Sequence, residues 1–139
     1  MTAKDDCIFI KIIAGEIPSR PVYEDDHAFA FLDIGAWQRG HTLVVPKRHV
    51  DDVLAQPPAL TEIAPAIEHC SQLLVDRLDA DGINLVSSSG AVAGQEVFHL
   101  HVHLVPRYAS DPGLSRLLIP KQPSDSELDA VHAEITGTA

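Results

Sequence analysis

Three histidines alternate with aliphatic residues in Phe98-His99-Leu100-His101-Val102-His103-Leu104-Val105-Pro106. Strict alternation places successive side chains on opposite faces of a half-buried strand. His99, His101 and His103 then share one face, while Leu100, Val102 and Leu104 feed a core. Pro106 has no ladder hydrogen to donate, so the strand is expected to end about there. One partly buried histidine on a strand is ordinary. Three in register, where Thr or Val would pack better, call for a chemical reason.

Distance separates two such reasons. Side chains two apart on a strand lie roughly 6.6 Å apart, and those four apart roughly 13 Å. Two nitrogens bound to one zinc lie at most about 4 Å from each other. A straight strand cannot fold all three histidines around one ion, so a three-histidine metal cage is not expected. A central nucleophile flanked by two imidazoles fits the row better. Neutral imidazole is nucleophilic near pH 7, and its neighbours can fix its tautomer and stabilise charge on phosphoryl oxygens. The middle residue, His101, is the expected nucleophile.

Charge and length bound the setting. The 139 residues carry 20 acidic against 10 basic side chains, a formal charge of −10, which disfavours nucleic-acid polymers and acidic membrane surfaces as partners. That length suits one domain, 1–139, with a single core. There is no apolar run of transmembrane length and no hydrophobic leader among the first residues. Cys7 and Cys70 show no framework spacing, so a reduced cytoplasm is the expected compartment.

The remaining chain reads as short elements. Residues 7–13 read as a brief helix ended by Gly15 and Pro18, and residues 20–26, 28–34 and 41–49 as strands. Apolar residues at Leu60, Ile63, Ala64, Ile67, Leu74 and Leu78 mark one helix face, with Pro65 inside it. Leu73 and Val75 widen that face beyond one stripe. Residues 83–88 read as a fourth strand, followed by a loop of small residues, 89–96, whose backbone N–H groups suit an anion. It has neither the Gly-Lys-Ser/Thr of a Walker loop nor a dinucleotide fingerprint. Ser124-Asp125-Ser126-Glu127 has capping-box spacing ahead of a helix face at Leu128, Val131 and Ile135.

His99-Leu100-His101-Val102-His103-Leu104-Val105 resembles the histidine triad of the HIT superfamily of nucleotide hydrolases and transferases. Two further stretches agree: residues 7–18 with the family's Cys-Ile-Phe-Cys-Lys-Ile-x-x-Gly-Glu-Ile-Pro, and residues 40–49 with Gly-His-x-Leu-Val-x-Pro-Lys-x-His. The similarity is greatest to the branch of histidine triad nucleotide-binding proteins, and it spans a motif-bearing core, 7–107. Residues 108–139 form a C-terminal extension with a short helix. The resemblance implies an α+β fold with an antiparallel sheet of about five strands and helices mainly on one face. It also implies a two-fold homodimer through the long helix and a neighbouring strand.

It further implies hydrolysis at the α-phosphate of purine nucleoside phosphoramidates or similar nucleotide conjugates, through a nucleotidyl-histidine on His101. His99, His103 and His41 would orient His101 and stabilise charge. Asp33 would accept from the ribose hydroxyls, and Gln95 would bind phosphate or its bridging atom. Ile8, Phe9, Ile12, Phe31 and Ile34 match the slot for the nucleobase. Ser88 stands where relatives have an Asn ligand, and Glu96 where they have Ser or Thr, so leaving-group choice is open. Some relatives bind zinc through a Cys-x-x-Cys and two histidines; this chain has Cys7 but Ile10, and no metal or other cofactor is expected. Alternative readings are a dinucleoside polyphosphate hydrolase or nucleotidyltransferase, and a nucleotide-binding scaffold with incidental catalysis.

Overall fold

The structure, a computed structural model, describes residues 6–111 and 122–137. The chain falls into two compact units, Met1–Ala109 and Ser110–Ala139.

The first unit opens with helix α1 (Ile8–Ile13), preceded by Cys7 in an extended conformation. Strands β1 (Pro21–Glu24), β2 (Ala28–Leu32) and β3 (Thr42–Pro46) follow, then helix α2 (Leu60–Leu78), β4 (Gly82–Val86) and β5 (Val102–Arg107). The sheet is antiparallel in the order β1-β2-β3-β5-β4. This is the five-stranded α+β architecture expected, with the long helix α2 covering one face and the short α1 meeting the other. On one face, Ala28, Ala30, Val44, Val102 and Leu104 pack with Ile63, Ala66, Ile67, Cys70 and Leu74 of α2. On the other, Phe29, Phe31, Leu43 and Val45 pack with Phe9 and Ile12 of α1. Strands β2 and β3 are therefore apolar on both sides, which is why their sequences read as continuous apolar runs rather than alternating ones.

The histidine-bearing stretch also departs from expectation. β5 begins only at Val102, because the Leu100 N–H donates to the Val50 carbonyl instead of to a neighbouring strand (2.8 Å). It then runs through Pro106 to Arg107. β3 pairs with β5 only from Val102 to Leu104, so the missing N–H at Pro106 breaks no ladder bond on that side. α2 spans the predicted residues and continues through Pro65. No helix among the described residues is long and apolar enough to cross a membrane.

The turn into β3 depends on Gly40. Its φ is +88°, and a Cβ there would lie 2.5 Å from Leu78 Cδ1 and 3.1 Å from Pro106 Cγ. Gly15 has a similar φ of +82° with open space around it. Both Gly→Ala variants should lose about 1 kcal/mol to backbone strain, and Gly40→Ala about 1–3 kcal/mol more to overpacking. Paired chemical denaturation of the two variants reads the difference. Equal losses would mean that the tip of Leu78 yields freely.

In the second unit, helix α3 (Asp125–Thr136) carries the anticipated capping box. Ser124 Oγ accepts from the Glu127 N–H at 3.2 Å, and Glu127 Oε1 accepts from the Ser124 N–H at 3.3 Å.

Candidate active site

A cavity of about 350 Å³ opens over the polar face of the histidine stretch, lined by Phe9, Asp33, Trp37, Leu43, Gly94, Glu96, Val97, His101 and His103. Its histidines are held in defined tautomers by groups whose hydrogen-bonding sense is fixed. The His99 carbonyl can only accept, so His101 donates Nδ1–H to it at 2.7 Å. A neutral ring with its proton on Nδ1 keeps a lone pair on Nε2, the nucleophilic nitrogen. Burial lowers the pKa of His101, against the opposing pull of that hydrogen bond and of Asp33. Phe9 meets the His101 ring edge-on, with centroids 5.1 Å apart.

A second chain of bonds defines His103. The Trp37 backbone N–H donates to His41 Nδ1 at 3.0 Å. His41 therefore carries its proton on Nε2 and donates it to His103 Nδ1 at 2.9 Å. His103 must then keep its own proton on Nε2, where no described residue accepts it. The relay fixes His103 as a neutral donor beside the nucleophile. Burial, reinforced by the neighbouring His101 and His41, pushes the His103 pKa down to about 4. Burial also lowers that of His41, opposed by Asp33, whose Oδ2 lies 3.6 Å from His41 Nε2. Asp33 stands at the end of β2, its Oδ1 accepting from the Gly35 N–H at 2.8 Å. Its own N–H donates to the His41 carbonyl at 3.0 Å and so closes the loop between β2 and β3.

His99 lies away from the cavity and is fully buried. Its Nε2–H donates to the Pro46 carbonyl at 2.8 Å, leaving Nδ1 to accept from His49 Nδ1 (3.1 Å) or the Cys7 thiol (3.4 Å). Burial drives its pKa down to about 4. Donor atoms of Cys7, His49 and His99 lie within 4.8 Å of one another. Ile10, at the place of the family's second cysteine, packs instead against the apolar cluster around Phe9 and Phe29. The set is three donors, which does not fit a closed four-ligand zinc site, and hydrogen bonds account for its geometry.

The other expected site residues divide. Glu96 lines the cavity, and Ser88 Oγ sits 3.9 Å from where a Cβ on Gly94 would be. Gln95 is buried, and its amide is engaged with backbone: Oε1 accepts from the Gly90 N–H at 2.8 Å, while Nε2 donates to the Asp51 and Val97 carbonyls at 2.6 and 3.0 Å. That bonding braces the loop rather than presenting the amide to a phosphate. Of the five slot residues only Phe9 lines the cavity. Ile12 and Phe31 belong to the apolar cluster beneath it, Ile8 is exposed, and Ile34 is 92% exposed. Sequence reading missed Trp37, Leu43, Gly94 and Val97. The chain's single tryptophan, set in a polar loop, was the available signal for the first.

Residues 14–110 match the family described as HIT domain. Protein hit of Bacillus subtilis is 43% identical over 114 residues, covering 81% of this chain and 79% of that protein. Adenylylsulfatase HINT3 of Arabidopsis thaliana is 37% identical over 111 residues, 79% of this chain and 56% of that protein. Among solved structures, SMU.412c from Streptococcus mutans UA159 is similar with a TM-score of 0.86 and 42% identity, covering 97% of this chain and 86% of that one.

Proposed function

The chain belongs to the HIT domain family, and we propose that it is a nucleotide hydrolase acting on the α-phosphate of purine nucleoside phosphoramidates or similar conjugates. The observation that carries this reading is the pair of opposed tautomers over one cavity: an Nε2 lone pair on His101 beside an Nε2–H on His103. In the first step the His101 lone pair forms an N–P bond as the bond from phosphorus to the leaving atom breaks. The leaving group departs with the bonding electrons and, where it is an amine, takes up a proton from water in the cavity. In the second step water attacks phosphorus, the N–P bond breaks, His101 regains its lone pair, and the proton lost by the water passes to solvent. The Nε2–H of His103 suits the charge on phosphoryl oxygens, as a prepositioned donor does. His41 and His99 act through their neighbours, one through His103 and the other through His101. Asp33 is the acceptor for the ribose hydroxyls.

Leaving-group preference follows from charge. Asp33 and Glu96 line the cavity, and none of its described lining residues is Lys or Arg. A carboxylate about 5 Å from an added phosphate charge opposes it by about 3 kcal/mol at an effective dielectric of 20. A neutral or cationic amine meets no such repulsion. Parallel assays of a nucleoside 5′-phosphoramidate and a dinucleoside polyphosphate test this, with the phosphoramidate expected to turn over faster. Faster cleavage of the polyphosphate would overturn the preference. The similarity to an adenylylsulfatase favours sulfate as a second leaving group worth including.

The reading extends to a homodimer. β4 is an edge strand, and Leu60, Ala64 and Ile67 of α2 border an apolar groove with its Leu85 and Val86. A second copy adding its own β4 would cover that edge.

A further inference from the structure

We propose that Trp37 is a positioning residue of this site, holding His103 as a neutral Nε2–H donor through its indole and its backbone at once. The inference rests on the function proposed above, but its geometry stands independently. The indole lies flat on the His103 ring, with centroids 4.6 Å apart and planes at 17°. It also covers His41 at 4.7 Å and 40°. The same residue's N–H donates to His41 Nδ1. One residue therefore touches both ends of the relay. Its backbone dictates which nitrogen of His41 bears the proton, and its side chain fixes the plane of the ring that receives the hydrogen bond.

The two contacts depend on each other. Residue 37 sits in the loop between β2 and β3, and its side chain is 58% exposed. An exposed indole gains little from burial alone, so its stacking on two imidazoles is what anchors it there. Without the ring, residue 37 keeps only the turn in which the His41 N–H donates to the Gln38 carbonyl at 3.1 Å, and neither imidazole keeps its cover. Water would then compete for both imidazoles, and each could exchange tautomers. His103 would present a lone pair to the cavity for part of the time, which repels phosphoryl oxygens instead of binding them. Asp33, His101 and Glu96, the other charged or titratable groups around the cavity, contain no donor that replaces it.

Trp37→Ala and Trp37→Phe separate this role from two others. For Trp37→Ala we expect kcat to fall by about 10²-fold, as for a catalytic group displaced by about 1 Å, with KM for the nucleotide unchanged. Trp37→Phe, which keeps a stacking ring, should recover most of the loss. Nitrogen-15 shifts of His103 should report the Nε2–H tautomer in the native protein and in Trp37→Phe, and averaged tautomers in Trp37→Ala. The shift measurement needs no substrate, so it tests the proposal even if the hydrolase reading fails. An unaltered His103 tautomer in Trp37→Ala overturns it. A rise in KM with kcat intact overturns it equally, since the indole would then be a platform for substrate. Thermal melts of both variants show whether each is folded.

Discussion

His101→Ala should lose turnover by at least about 10⁴-fold, the scale on which removal of an activated nucleophile acts. Binding of the nucleoside monophosphate should survive, because Asp33, Phe9 and the loop from Gly90 to Val97 are untouched. The argument is one of atoms. Among the described residues, no other side chain lining the cavity offers a free nitrogen lone pair: His103 Nδ1 is occupied by His41, and its Nε2 bears a proton. Mass spectrometry of the native protein, quenched during turnover, should find the nucleotidyl adduct within the peptide containing His101. An adduct on any other residue would refute the assignment, whatever the kinetic loss in the variant.

A second large effect is expected in stability. His99 is fully buried, and its pKa falls from near 6.5 to about 4 on folding. A depressed pKa means that the unfolded chain takes up the proton first. The contribution of His99 is thus complete above pH 6.5 and is lost as pH falls towards 4. The loss should be about 2 kcal/mol at pH 5 and about 3 kcal/mol below pH 4. His103 titrates over the same window and steepens the decline. Urea denaturation between pH 7.5 and pH 4.5, with chelator present, measures it. Level stability from pH 7 to pH 5 would show that His99 is not held neutral by its surroundings.

How much was legible beforehand can be seen in particular residues. The long helix was readable because apolar spacing over Leu60–Leu78 repeats through five turns. His101, His103, Asp33 and Glu96 were readable as candidates from residue type and order, and the fold brings all four to one cavity. The start of β5 was not readable. Alternation reports an extended chain, yet the backbone bends at residues 98 and 99, and the Leu100 N–H bonds to a loop carbonyl rather than to β3. Pairing partners leave no trace in a period of two. The backbone partners of Gln95 were hidden for a related reason, since a side-chain amide serves a backbone loop as readily as a phosphate. Ile34 was read into a slot from its place in a motif, whereas two residues of turn after β2 direct it to solvent. Trp37 belongs to a loop without periodicity, and only the fold brings it to histidines 4 and 66 residues away.

The relay from Trp37 to His103 has a consequence for which bonds this protein can break quickly. Each nitrogen along it already has its hydrogen assigned, so a second proton on His103 would face the Nε2–H of His41 head-on. His103 can share a hydrogen with a departing atom but has none to give away. A leaving group must then go as a stable anion, or collect its proton from water inside the cavity. Across a series of conjugates with one nucleotide, the logarithm of the rate should therefore depend steeply on the acidity of the group expelled. Among amine conjugates, weakly basic amines would lead the series and alkylamines would trail.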